Sequence, residues 1–189
     1  LDLEQDFIEN KTNADIGRVI DQNVIFRNAY LDFLVGFIHY DVSPLKIAVD
    51  ASHGSASYLV QELFAKLGIQ GDYHFVQPDG ININDRCGAT HMHALMEIVK
   101  NGNYDLGLAF DGDADRMLAV SEKGELIDGD ALLYLHAKFT LPSYPSSQQK
   151  VVMTKMSNLG LKKALKELHM PYLETDVGDK YVQAALANE

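Results

Sequence analysis

The chain has 189 residues, with 16 Lys+Arg against 27 Asp+Glu and a formal net charge of −11. That length fits one domain, or one with part of another, and 47% hydrophobic with 23% charged residues excludes a disordered chain. The acidic balance, with a pI near 4.9, argues against nucleic acid or an anionic membrane as partner, because both need a basic surface.

The single cysteine, Cys87, excludes an intrachain disulfide and fits a reducing, cytoplasmic setting. The acidic opening, with Asp2, Glu4 and Asp6, lacks the positive start of a signal peptide. The most apolar stretch, residues 29–40, is interrupted by Asp32 and His39 and is too short to span a bilayer. A first residue other than Met leads to the expectation of a piece of a longer protein.

Taken in chain order, residues 16–24 read as a short strand. Helical spacing of Tyr30, Leu31, Leu34, Val35 and Ile38 predicts a helix over 27–39, ended by Ser43-Pro44. A strand–helix alternation follows. Residues 46–51 form an apolar run. Leu59, Val60, Leu63, Phe64 and Leu67 predict a helix over 56–67, closed by Gly68. Strand 70–76 leads into a loop over 78–88, then a helix from Thr90 or His91 to about Asn101. Strands 106–110 and 117–121 come next, and Glu122-Lys123-Gly124-Glu125 reads as a hairpin turn. A helix spans 129–139.

Residues 141–149 hold two Pro and three Ser and are the expected linker. Beyond them the rhythm restarts, with strand 150–154, helix 158–168, strand 172–175 and a helix from about Lys180. The expected class is α/β: a mixed, mostly parallel sheet with helices on both faces, followed by the first part of a second, similar α/β domain. The expected division is a 1–42 extension, a metal-binding domain over 43–141, and an incomplete second domain over 150–189.

The chemistry concentrates in Asp111-Gly112-Asp113-Ala114-Asp115-Arg116, directly after an apolar strand. Carboxylates at alternate positions of a turn converge on one hard cation, and without it they repel. Asp111, Asp113 and Asp115 are the candidate metal ligands. Arg116 supplies a fork suited to a phosphate oxygen, or else pairs with one of the loop aspartates. The carboxyl end of a buried strand is where open α/β sheets place ligands. An EF-hand reading fails, because Arg116 stands where that loop needs Gly and the flanks read as strands.

Around this loop, Asp111–Arg116 matches the DGDxDR signature of the α-D-phosphohexomutase superfamily. Pro78-Asp79-Gly80-Ile81-Asn82-Ile83-Asn84 and Cys87-Gly88-Ala89-Thr90-His91 resemble its bacterial phosphoglucosamine mutase branch. Thr154-Lys155-Met156-Ser157-Asn158-Leu159-Gly160 and Val177-Gly178-Asp179-Lys180-Tyr181-Val182 resemble later segments of the same branch. The resemblance implies the second domain and the opening of the third in a four-domain enzyme. It implies an isomerase that interconverts glucosamine 6-phosphate and glucosamine 1-phosphate through a phosphoserine enzyme and a bisphosphate intermediate. It also implies Mg²⁺ on Asp111, Asp113 and Asp115, and Arg116 as a phosphate-stabilising residue.

Gly178, Asp179 and Lys180 resemble the family's sugar-side turn, although Lys180 stands where Arg is usual. The resemblance also implies a phosphoserine outside this chain, so the isolated piece is expected to be inactive. Expected partners are a sugar phosphate and the remaining domains of the same chain. An open sheet edge invites a homodimer. The competing readings are a phosphomannomutase or phosphoglucomutase of the same superfamily, a Mg²⁺-dependent phosphatase of another α/β family, and a non-catalytic metal-binding module.

Two lookalikes are set aside. Ala51-Ser52-His53-Gly54 resembles the family's phosphoserine loop but lacks its Asn-Pro, so Ser52 is not taken as nucleophile; a turn there with Gly54, Ser55 and Ser57 reads as a helix cap or an anion-receiving helix start. Cys87, His91 and His93 suggest zinc, but no second Cys stands at ligand spacing and the two His face different sides of a helix.

Overall fold

A computed structural model describes residues 20–187. The chain divides into a unit over 1–37 and a unit over 38–189. In the first, helix α1 spans Asn23–Val35. It starts four residues before the expected helix and takes in Val24, which the sequence pattern assigned to a strand; residues 16–19 of that strand lie outside the described residues.

The second unit opens with β1 (Lys46–Asp50), α2 (Ala56–Leu67) and β2 (Gln70–His74). It continues through α3 (His93–Asn101), β3 (Leu106–Phe110), β4 (Met117–Ser121), β5 (Leu126–Ile127) and α4 (Gly129–Leu135). The sheet order is β2-β1-β3-β4-β5. β1 runs parallel to both β2 and β3, while β4 is antiparallel to β3 and β5 to β4, so the sheet is mixed at one edge.

Alternation along β1 divides the core. Ile47 and Val49 face Val60 and Phe64 of α2, while Ala48 faces Leu95 and Val99 of α3. Helices therefore cover both faces. Each buried Leu or Val contributes about 1.5–3 kcal/mol.

Helix α2 stops because Gly68 takes the left-handed conformation, φ 71°. Gly68 N–H donates to Ala65 O at 3.3 Å and Ile69 N–H to Phe64 O at 3.0 Å, the pairing of a Schellman cap. Helix α3 begins at His93 rather than at Thr90 or His91. Those two residues belong to a turn in which His91 N–H donates to Gly88 O at 2.9 Å.

Strands β6 (Val151–Thr154) and β7 (Tyr172–Thr175) form a second, parallel two-stranded sheet, with α5 (Leu159–Glu167) between them and α6 (Asp179–Ala187) after. Ala137 and Leu141, which the sequence reading groups with the first sheet, pack instead with Val151, Met153, Leu161 and Leu165. The expected helix 129–139 is α-helical only to Leu135 and continues as a π turn over His136–Thr140.

Candidate metal centre and its cleft

The Asp-rich loop joins β3 to its antiparallel neighbour β4, and Phe110 and Met117 are paired at its base. Two backbone bonds close it. Asp111 N–H donates to Arg116 O at 3.1 Å, and Ala114 N–H to Asp111 O at 3.2 Å. Ala114 holds φ 61°, a left-handed turn that a residue with Cβ adopts only under constraint.

Asp111 is 3% exposed. Its Oδ1 accepts from Arg116 N–H at 3.1 Å, and its Oδ2 from Arg116 Nε at 2.7 Å. Asp113 and Asp115 are exposed, yet one oxygen from each lies within 4.8 Å of the others and of an Asp111 oxygen. Such an all-oxygen donor set fits a hard divalent cation such as Mg²⁺ or Mn²⁺.

The electrostatics agree with that fit. Burial pushes the Asp111 carboxyl up, but the Arg116 N–H, Asp115 and the Arg116 guanidinium leave it below the ordinary carboxylate range. Asp115 is held above that range by its hydrogen bond with Asp111, by burial, and by the charges of Asp113 and Asp111. A bound cation relieves that crowding of like charge.

Arg116 is first an intraloop partner. Its Nε also lies 3.4 Å from Asp115 Oδ1. The rest of the side chain stays open, 77% exposed, at the mouth of a cleft of ≈ 720 Å³. That cleft is lined by Arg116 of the Asp-rich loop, by Asp128 and Gly129 at the start of α4, and by Thr154, Ser157 and Asp179 around the second sheet. Its size suits a small ligand. Asp179 thus shares a cleft with Arg116. Gly178 holds φ 135° in the turn before α6, and Lys180 Nζ lies 4.9 Å over the Tyr181 ring; neither is among the lining residues.

Backbone, more than side chains, supports the loop from behind. Ser55 N–H, at the start of α2, donates to Gly112 O at 2.9 Å, so this helix end holds the loop. Ala89 N–H donates to Phe110 O at 2.9 Å. Gly54 and Gly112 are in close approach; a Cβ on Gly54 would stand 2.2 Å from Gly112 O. Ser52 is buried, with Oγ donating to Ala51 O at 2.7 Å. Cys87 is buried as well, its thiol pushed up to about 11 by burial and then by Asp50 and Asp85.

Sequence reasoning passed over Asp50. It ends β1 as Asp111 follows β3, and that parallel was the available signal. Asp50 is fully buried. Its Oδ1 accepts from Ser52 N–H and its Oδ2 from Gly88 N–H, both at 2.8 Å. Burial raises its pKa, against the two N–H donors and the nearby His53 and His74.

The site is thus an acidic loop at the carboxyl end of a central strand of an α/β sheet, beside a cleft shared with the second sheet. Residues 28–124 match phosphoglucomutase/phosphomannomutase α/β/α domain II, and residues 128–189 match domain III of the same enzymes. The chain belongs to the phosphoglucomutase/phosphomannomutase family.

A phosphoglucosamine mutase from Halalkalibacterium halodurans is 44% identical over 181 residues, which is 95% of this chain and 40% of that protein. A second, from Bacillus velezensis, is 40% identical over 189 residues, all of this chain and 42% of that protein. The chain therefore spans about two fifths of the length of these curated relatives. Among solved structures, a phosphoglucomutase/phosphomannomutase family protein from Burkholderia thailandensis superimposes with a TM-score of 0.79 at 26% identity, covering 98% of this chain and 40% of that one. An N-acetylglucosamine-phosphate mutase shares the fold, with a TM-score of 0.64 at 24% identity over 91% of this chain and 41% of that one.

Proposed function

We propose that this chain is the metal-binding part of a cytoplasmic phosphoglucosamine mutase, which interconverts glucosamine 6-phosphate and glucosamine 1-phosphate and feeds amino-sugar and cell-wall precursor synthesis. In the proposed sequence a phosphoserine outside these residues gives its phosphoryl group to the sugar's 1-oxygen, breaking one P–O bond and forming another. The bisphosphate turns over in the cleft, and its 6-phosphoryl group returns to the serine. The observation that carries this reading is the convergence of Asp111, Asp113 and Asp115 oxygens within 4.8 Å at the end of β3, in a chain 44% identical to a phosphoglucosamine mutase.

Asp111, Asp113 and Asp115 would hold Mg²⁺, which supplies Lewis-acid stabilisation to a transferring phosphoryl group. Arg116, anchored through Nε on Asp111, turns its remaining N–H groups toward phosphate oxygens in the cleft. Asp179 bonds sugar hydroxyls from the opposite wall, with Gly178 and Lys180 shaping that turn. Phosphoryl transfer depends mainly on such positioning and charge stabilisation. In this reading the expected boundary between the 43–141 and 150–189 domains moves toward the start of α4, because Ala137 and Leu141 pack with the second core.

The test is steady-state kinetics of the full-length protein with glucosamine 6-phosphate, a bisphosphate activator and Mg²⁺, for wild type and Asp113→Asn. Losing an electrostatic contact at the transition state costs about 3–4 kcal/mol, or roughly a hundredfold or more in turnover, with sugar-phosphate affinity little changed. Near-normal turnover in the mutant refutes the metal role of this loop.

A further inference from the structure

We infer that Asp50 is a positioning residue for the metal-binding loop, acting as a buried clamp on the two loops that carry it. This rests on reading Asp111, Asp113 and Asp115 as the metal site.

Asp50 lies at the carboxyl end of β1, paired with Ala109 of β3 one residue before the strand's last, Phe110. Each of its oxygens accepts one N–H from a different loop, Ser52 from the turn before α2 and Gly88 from the turn before α3. Both loops then reach the Asp-rich loop through backbone. The first does so by Ser55 N–H on Gly112 O, the second by Ala89 N–H on Phe110 O. A third bond, Asn84 N–H to Ser52 O at 2.9 Å, ties the two loops to each other.

The geometry is demanding. Ser52, His53, Asn84 and Arg86 all hold φ between 51° and 58°. Left-handed conformations at residues with Cβ persist only where the surroundings over-determine them. A wholly buried carboxylate is a poor choice for packing alone, because apolar residues of the same volume fill a core as well without the desolvation penalty. The gain from a carboxyl group here is that one side chain takes two N–H groups, one on each oxygen. Asparagine offers one acceptor and turns an NH₂ group against the other donor. The clamp then opens on one side, and the loop that rests on it loses its fixed position.

The experiment titrates Mn²⁺ by electron paramagnetic resonance into the full-length protein, as wild type, Asp50→Asn, Asp113→Ala and Val99→Ala. Val99 is buried in the α3-side core away from these loops, and its truncation reports destabilisation without loop displacement. Asp50→Asn is expected to weaken Mn²⁺ binding about tenfold, the low end for residues that orient metal ligands from behind. It should lower kcat while leaving the sugar-phosphate KM near wild type. Val99→Ala should lower the melting temperature yet bind Mn²⁺ normally. Wild-type Mn²⁺ affinity in Asp50→Asn, with binding lost in Asp113→Ala, overturns this inference alone. Mn²⁺ retained by Asp113→Ala overturns the metal site and the inference with it. Failure of Asp50→Asn to melt cooperatively where Val99→Ala does also overturns it, because the carboxylate then serves the fold as a whole.

Discussion

Replacing Gly54 by Ala adds one methyl group at the tightest backbone approach around the Asp-rich loop. Its Cβ would stand 2.2 Å from Gly112 O and 2.8 Å from Gly112 C and Cα, where real contacts essentially never fall below 3.0 Å. The obstacle is backbone, so no side-chain rotation relieves it. Gly112 O must retreat by about 0.8 Å to reach that 3.0 Å limit, and its 2.9 Å bond from Ser55 N–H is broken or bent. Overpacking of this kind costs about 1–3 kcal/mol, and the lost hydrogen bond about 1 kcal/mol. Reduced freedom of the unfolded chain returns about 0.4–1 kcal/mol.

The net expectation for Gly54→Ala is about 1–3 kcal/mol of destabilisation, or roughly 3–10 °C in melting temperature. Mn²⁺ affinity should fall with it, and turnover of the full-length enzyme should drop about a hundredfold, the scale set by a misplacement near 1 Å. Thermal melts, Mn²⁺ titration and kinetics measure the three effects. Gly129→Ala is the control for the melt and the Mn²⁺ titration, since an added Cβ there meets nothing within 4 Å and the residue sits in the first turn of α4. A Gly54→Ala protein with wild-type melt and metal affinity refutes the close-approach argument, as does a control that loses as much.

Two further outcomes follow from other parts of the fold. The Cys87 thiol, pushed up to about 11 in its buried site, stays protonated in the native state at pH 8; labelling by an aromatic disulfide at that pH should therefore track unfolding, and fast labelling of folded protein would contradict the burial. Asn158 caps α5 by accepting from Leu161 N–H at 2.9 Å, so Asn158→Ala should cost about 1 kcal/mol in a urea melt, and an unchanged midpoint would show that the cap adds nothing.

Much of this fold is written in periodicity. β1, β3 and β4 read as apolar runs, α2 as a stripe closed by Gly68, and the hairpin at Glu122–Glu125 as a turn between short strands; all are present. What escaped depended on tertiary partners. The start of α3 is set by the turn that Gly88 O makes with His91 N–H, which no spacing of apolar residues encodes. An α-to-π change after Leu135 alters the helix by a fraction of a turn, too little for a pattern over five residues to register. The Pro- and Ser-rich stretch at 141–149 looks like solvent-exposed linker, yet its first residue, Leu141, is buried in the second core.

The site divides in the same way. Asp111, Asp113, Asp115 and Arg116 are neighbours in sequence, so their meeting in space was legible from spacing. Asp50 meets Gly88 across 38 residues of chain, and that pairing had no sequence signal beyond a carboxylate ending an apolar run.

The support of the Asp-rich loop has a consequence for how such a chain can drift. Its external anchors are a carbonyl and an amide at each contact: Gly112 O with Ser55 N–H, and Phe110 O with Ala89 N–H. Main-chain atoms are common to nearly every amino acid, so the residues at 55 and 89 can exchange freely without touching those bonds. The selective burden shifts to positions defined by what they lack. Proline is barred where an N–H must donate, and any Cβ is barred at 54 and 88, where it would meet backbone oxygens of Gly112 and Phe110 within 3 Å. A library randomised over residues 52–56 and 86–90 should therefore return functional clones with varied side chains around a fixed grid of small and N–H-bearing positions, a pattern set by excluded volume and not by chemistry.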